Sequence, residues 1–292
     1  MSEEEIAEEE VPVAPLVSAG MIHGAPIAYI AIWAALIAVA SLIPISIVIG
    51  GGGSFPASYS LLALVGILLG PVAGAIATTI GVYLGAFIAP YTAGILFPFG
   101  QLGDVLATFV AGLITMKAES KQKERLYLLI AALGVIPIML MFWSTFFIFN
   151  LWCIPPGSEE QFAWIPREYF RTCASPFPDL ILVLCFDFLP GWILFLITMK
   201  WVRQWIQSEN PFLLAIGVFV ISYFVLNTYQ HYWGWFWFEI ITYYPLPADI
   251  AIVMLFTWWE RLYFSATAAV IGAAVIIALR KAGIRKPLYA IW

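Results

Sequence analysis

The chain has 292 residues, of which 63% are hydrophobic and only 11% are charged, and its formal net charge is −5. Soluble domains carry about 25% charged residues, so this composition excludes an ordinary soluble globular protein. The apolar runs are continuous rather than alternating, which argues against a membrane β-barrel and predicts an all-α polytopic membrane protein.

The negative charge comes from one short segment near the start of the chain. Six of the 18 acidic residues lie between Glu3 and Glu10, and the remainder of the chain is almost neutral. Residues 1–20 are therefore predicted to be a disordered acidic tail, followed by a single transmembrane domain over residues 21–292. No basic patch suggests a nucleic-acid partner.

Eight transmembrane helices are predicted from apolar runs that are bounded by proline, glycine or charged residues. A helix needs about 20 residues to cross the hydrocarbon core, and the second run is shorter than that. The predicted spans are residues 26–49, 59–70, 72–89, 98–116, 126–150, 179–199, 211–230 and 248–280.

Basic residues predict the orientation of these spans. They cluster at 117–125, at 200–203 and at 280–286, and two spans separate each cluster from the next. The positive-inside rule places all three clusters in the cytoplasm. Four spans precede the first cluster, so both termini are expected in the cytoplasm of a multi-pass plasma-membrane protein.

Two of the outer segments that follow from this orientation are long. Residues 151–178 form a large outer loop with Cys153 and Cys173, which either form a disulfide or remain two free thiols. Residues 231–247, which include "HYWGWFWFEIITYY", are expected to lie along the outer interface with their rings at headgroup depth.

Small residues recur on the first span. Ala31, Ala34, Ala35 and Ala38 follow helical spacing in "AIWAALIAVASLIPI". Such faces allow helix backbones to approach each other closely, because lipid supplies no hydrophobic drive between helices. The face serves either tight packing within the protein or the docking of another subunit.

Ionisable residues at membrane depth are costly and indicate candidate functional sites. Asp187 falls near the midplane of the sixth span, whereas Asp104, with Gln101, sits in the outer part of the fourth and is less unusual. Glu260 and Arg261 lie about 20 residues before Arg280, which places them near the outer interface.

The outer ends of the last two spans carry several polar residues. Glu260 and Arg261 either anchor a helix at the interface or line an outward-facing pocket together with Asn227, His231 and Glu239. The chain has no Walker A loop and no hydrolase or metalloprotease motif, and it has only two histidines. No enzymatic activity, metal or cofactor is therefore predicted, although an intramembrane enzyme that uses Asp187 is a third alternative.

The first four spans resemble a known family. The alanine-rich first helix is followed by "FPASYSLLALVGILLGPVAGAIATTIGVYLGAF", the outer loop "APYTAGILFPFG" and a fourth helix that ends in "FVAGLI". This order resembles the S components, the substrate-binding membrane subunits of energy-coupling factor (ECF) vitamin transporters. The resemblance covers about residues 26–116, and the later helices would be additions to that core.

The resemblance implies roles for specific residues. The alanine face of the first helix would contact an integral membrane coupling subunit, which works with cytoplasmic ATPases. Residues 50–55 and Tyr59 would belong to the loop that covers the bound ligand. Together with the polar residues already selected at membrane depth and at the outer ends of the last spans, the substrate-binding candidates are Phe55, Tyr59, Asp187, Asn227, His231, Glu239, Glu260 and Arg261. The main alternative is a structural or accessory subunit that contacts lipids and other proteins of a larger membrane complex.

Overall fold

The computed structural model describes residues 20–48, 53–93, 96–151, 189–242 and 250–292. The predictions for the acidic tail, for Asp187, for Cys153 and Cys173, and for most of the long outer loop lie outside the described residues, and the side chain of Glu239 is not described either.

The described chain is mainly helical, with two short hairpins near its start. The strands are β1 (Met21–Ile22) and β2 (Ala25–Pro26), then β3 (Pro44–Val48) and β4 (Gly53–Pro56). The helices of the first half are α1 (Ile27–Ala40), α2 (Tyr59–Leu69), α3 (Pro71–Ile88), α4 (Pro90–Ala93), α5 (Gln101–Ile114), α6 (Lys121–Leu133) and α7 (Val135–Leu151).

The second half continues with long helices. These are α8 (Leu189–Gln207), α9 (Pro211–Val225), a π-helical turn (Leu226–Gln230), α10 (His231–Thr242) and α11 (Ile250–Lys281). Within the described residues, four segments are long and apolar enough to cross a membrane, namely Pro71–Ile88, Lys121–Ser144, Pro211–Trp237 and Trp259–Lys281. Helices α1, α2 and α5 are apolar but shorter.

The first predicted span is wrong in its second half. It was expected to be helical to residue 49, but α1 ends at Ala40, and Pro44–Val48 forms β3, which pairs antiparallel with β4. The Ser41 hydroxyl donates to the carbonyl oxygen of Ile37 at 2.9 Å, and Pro44 supplies no N–H for a continuing helix. The β-branched residues that follow favour a strand.

The first part of the aromatic segment after residue 231 is helical. This part continues the helical run from Pro211 through the π-helical turn, and α10 packs against α7. His231, Tyr232 and Phe236 are buried, with Tyr232 only 1% exposed. These side chains face neighbouring helices, and the position of residues 231–247 along the outer interface stays a prediction.

Helices α2, α3 and α5 form a tight junction at the centre of the first half. A Cβ at Gly66 would lie 2.2 Å from the carbonyl oxygen of Thr108, and one at Gly112 would lie 2.5 Å from the backbone nitrogen of Pro71. The hydroxyl of Thr78 on α3 also donates to that of Thr108 at 3.0 Å. Glycine is required at these positions because backbones touch there.

Residues 284–292 pack under the end of the bundle that carries the basic clusters. The amide of Leu288 donates to the carbonyl oxygen of Gly24, and the amide of Lys117 donates to that of Tyr289. Trp292 is buried, and its indole N–H donates to the carbonyl oxygen of Leu68 at 3.0 Å. These contacts join the first hairpin, α2 and the end of α5.

Candidate functional site

A cluster of buried polar side chains lies at the opposite end of the bundle, where α2 and α5 begin. Tyr59 is the first residue of α2, and Asp104 lies in the first turn of α5. Gln230 closes the π-helical turn, and Arg261 comes from α11. We call Tyr59, Asp104, Gln230 and Arg261 the polar cluster; none of the four is more than 9% exposed.

Hydrogen bonds and ring contacts connect the cluster. The side-chain amide of Gln230 donates to the hydroxyl of Tyr59 at 3.1 Å and lies close to the carboxyl group of Asp104. The guanidinium carbon of Arg261 lies 5.5 Å from the centroid of the Tyr59 ring and 4.9 Å from that of Phe55 on β4. Both distances are within the range of cation–π contacts.

Two local features of the sequence place Gln230. The π-helical turn inserts extra backbone into the run from α9 to α10, and all five of its residues are buried. Such turns are frequent at functional sites. Gly103 allows α5 to approach this turn, since a Cβ there would lie 3.0 Å from the carbonyl oxygen of Gln230. The same approach brings Asp104 against Gln230.

Several polar atoms of this region have no hydrogen-bond partner. They include all three guanidinium nitrogens of Arg261, Oδ1 of Asp104 and the side-chain carbonyl oxygens of Gln101 and Gln230. Buried polar groups are almost always hydrogen-bonded, because burial without a partner costs about 1–3 kcal/mol or more. Hydrogen-bond donors and acceptors without partners therefore lie together at the same end of the bundle, as in a binding site.

The structure brings together only some of the predicted site residues. Phe55, Tyr59 and Arg261 lie in contact. Asn227 instead packs towards α8, where a Cβ added at Gly191 would lie 3.0 Å from the Cβ of Asn227. His231 is buried, with its ring 5.7 Å from that of Trp235. Glu260 precedes Arg261 and is half-buried.

The sequence analysis gave too little weight to three residues of this region. Asp104 and Gln101 were judged less unusual, although their i, i+3 spacing at the start of α5 places them on one helix face. Gln230 was not selected, and the signal for it was a polar stretch, "NTYQH", inside an apolar run. Phe264, 5.6 Å from the Tyr59 ring between centroids, adds an aromatic wall.

The alanine face of α1 is split by the packing. Ala34 and Ala38 are buried against α3, where a Cβ at Gly81 would lie 2.8 Å from the carbonyl oxygen of Ala34. These two residues pack inside the chain, and the coupling role of the alanine face stays a prediction. Ala31 and Ala35 lie on the exposed side of α1.

Metal binding has no support in the part of the chain that the structure describes. No group of three or more His, Cys, Asp or Glu side chains there could hold an ion. The polar cluster offers only one carboxylate, Asp104, beside an amide and a guanidinium, which is a hydrogen-bonding set rather than a set of metal ligands.

Comparison with known families identifies the scaffold that carries this cluster. Residues 22–163 match the family model described as ECF-type riboflavin transporter, S component. The predicted resemblance to the S components is confirmed. The match covers about half of the chain, and it includes Phe55, Tyr59 and Asp104 but not Gln230 or Arg261. No curated protein and no solved structure matches the chain.

The S-component match fits a multi-pass membrane protein with a role in transport and substrate binding. It describes a component of a transporter rather than a family of enzymes, and it favours the transport subunit over the accessory-subunit alternative. The helices that follow residue 163 supply two of the four residues of the polar cluster.

Proposed function

We propose that this chain is the substrate-binding subunit of a membrane transporter, and that the polar cluster is where a small molecule binds. The observation that carries the proposal is the set of buried polar atoms without partners on Arg261, Asp104 and Gln230. A substrate that enters here would satisfy both the open donors and the open acceptors. Aromatic rings around a few polar groups are typical of small-molecule sites.

The β3–β4 hairpin is proposed to close this site. Phe55 lies on β4, and its ring centroid is 5.5 Å from that of Tyr59 and 4.9 Å from the guanidinium carbon of Arg261. A movement of the hairpin would remove Phe55 from the cluster and open a route to it. Residues 49–52, with the first three glycines of "GGGGSF", lie outside the described residues, so the lid is supported by the position of Phe55.

The test is direct binding of small molecules to the purified protein. Protein in detergent is denatured after purification, and the released compounds are identified by mass spectrometry. We expect one compound at near-stoichiometric amounts, and Tyr59→Ala together with Gln230→Ala should reduce its recovery at least tenfold. Recovery of phospholipid alone, with no small molecule from the wild-type protein, would contradict the proposal.

Transport is proposed to be energised by separate subunits, a membrane coupling protein and cytoplasmic ATPases. S components work with such partners, and the chain itself has no Walker A loop. The exposed side of α1, with Ala31 and Ala35 beside the exposed apolar residues Ile32, Leu36 and Val39, is the face we assign to the coupling protein. In this arrangement the basic clusters lie in the cytoplasm and the polar cluster outside.

A matched pair of substitutions separates docking from folding on α1. Ala35→Leu adds volume on the exposed side and should weaken co-purification with the coupling protein while leaving thermal stability unchanged. Ala34→Leu adds the same volume on the buried side and should lower stability by about 1–3 kcal/mol through overpacking. Equal loss of the complex at equal loss of stability would argue against a docking face.

A further inference from the structure

Three buried or half-buried arginines occur in the described part of the chain, and one of them differs in its contacts. Arg203 donates to the carbonyl oxygens of Ile114 and Met116 at 2.7 and 2.8 Å. Arg280 donates to the carbonyl oxygens of Ser208 and Ile206, both at 2.6 Å. Each of these guanidiniums closes the end of a helix, so both have a structural use.

Arg261 has no such use, although it is the most deeply buried of the three. Its exposed fraction is 0%, and none of its Nε, Nη1 and Nη2 atoms has a hydrogen-bond partner. A guanidinium carries five N–H donors and stays protonated in proteins. The rings of Phe55 and Tyr59 attract the charge but accept none of the in-plane hydrogen bonds.

A buried guanidinium without acceptors destabilises the folded state unless something else supplies them. The carboxyl group of Asp104 is close enough to interact electrostatically with Arg261, yet its Oδ1 atom is also without a partner. A group that fills both needs must present acceptors to Arg261 and a donor to Asp104. The guanidinium fork matches the two oxygens of a carboxylate in one plane.

We propose that Arg261 binds the carboxylate of the transported substrate, and that Asp104 accepts a hydrogen bond from an N–H or O–H group of the same molecule. This rests on the proposed function and names the substrate class, a small carboxylic acid with a donor group and an apolar or aromatic body. The body would lie against the rings of Phe55, Tyr59 and Phe264, which contact each other and form a connected aromatic wall.

The assignment gives a specificity role to a residue outside the S-component match. Arg261 lies almost 100 residues beyond the matched segment 22–163. Riboflavin, the compound in the name of the matched family, carries no carboxylate, so the assignment separates the substrate of this chain from that compound. A neutral carboxamide would offer the guanidinium one uncharged acceptor oxygen in place of the two charged oxygens of a carboxylate. The donor and acceptor pattern of the cluster therefore selects for an acid over its amide.

The test uses equilibrium dialysis of the purified protein against a mixture of small aromatic and aliphatic carboxylic acids and their carboxamides, with mass-spectrometric readout. The wild-type protein should enrich one or more acids over the matching amides at least tenfold. Arg261→Gln should abolish that preference, and Arg261→Lys should retain part of it. Arg203→Gln is the matched control and should keep the preference, because the Arg203 guanidinium contacts Glu124 and the backbone carbonyl oxygens of Ile114 and Met116 at the other end of α5.

A second measurement separates a binding residue from a structural one. Without ligand, Arg261→Met should raise the thermal unfolding midpoint, because it removes a buried charge that has no acceptor. Arg203→Gln should lower the midpoint under the same conditions. A lower midpoint for Arg261→Met would show that the guanidinium stabilises the fold and would overturn the proposal.

The outcomes of the dialysis are distinguishable from those of the proposed function. Enrichment of neutral compounds only, or an acid preference that survives in Arg261→Gln, overturns the role of Arg261 and leaves a substrate-binding subunit in place. Enrichment of no small molecule overturns both proposals. Retention of phospholipid that is lost in Arg261→Gln would assign the guanidinium to a lipid phosphate and would also overturn the carboxylate.

Discussion

A single methyl group added at Gly112 should destabilise the helix junction that positions the polar cluster. A Cβ there would lie 2.5 Å from the backbone nitrogen of Pro71 and 2.6 Å from the carbonyl carbon of Gly70. Non-bonded carbon atoms normally approach to about 3.5–4.0 Å. Since the contacted atoms belong to the backbone, no side chain can rotate away, and α3 must move by about 1 Å.

The expected cost of Gly112→Ala is about 1–3 kcal/mol from overpacking. It exceeds the roughly 0.5–1 kcal/mol that alanine gains over glycine in a helix. Gly234→Ala in α10 is the control, because nothing lies within 4 Å of the Cβ that it adds. That variant should be as stable as the wild type or slightly more stable.

The difference is measured by thermal unfolding of the detergent-purified proteins. The readout is the loss of the monodisperse peak in size-exclusion chromatography. We expect a midpoint several degrees lower for Gly112→Ala. Substrate recovery should fall as well, because α2 and α5 carry Tyr59 and Asp104 and would separate at this junction. Equal midpoints for the two alanine variants would refute the view that backbone contact holds α3 against α5.

Two further predictions concern buried residues away from the polar cluster. Trp292→Ala should lower the free energy of unfolding by about 3–5 kcal/mol, the usual cost of truncating a buried aromatic residue, and Trp292→Phe should lower it less. An unfolding midpoint equal to that of the wild type for Trp292→Ala would show that the burial of Trp292 and its hydrogen bond to Leu68 contribute little. Arg203→Gln should lower the unfolding midpoint because the carbonyl oxygens of Ile114 and Met116 lose charged donors, and an unchanged midpoint would contradict this structural role.

Sequence patterns predicted the helices well where the chain itself marks their ends. The second helix was predicted at 59–70 and runs from Tyr59 to Leu69, because Gly70 and Pro71 stop one helix and start the next. The end of α1 was missed because the residues after Ala40 are as apolar as those before it. Hydropathy does not distinguish an apolar strand from a continuing helix over so short a run.

The polar cluster was predictable only in part, for a related reason. Arg261 was selected because a charge is costly near the membrane, and Phe55 and Tyr59 because of the S-component resemblance. Gln230 depends on a π-helical turn that forms only in the packed structure, where α5 approaches it at Gly103. No periodicity in the sequence specifies that turn.

The division of the polar cluster between two parts of the chain bears on how its specificity arises. Tyr59 and Asp104 lie within the segment that matches the S components, whereas Gln230 and Arg261 come from helices beyond it. Arg261 belongs to α11, which packs directly on α2 and α9. A substitution in α11 can therefore change the polar cluster without any change in the helices of the matched segment. Under the proposed assignment, the charge at Arg261 selects the class of molecule that binds.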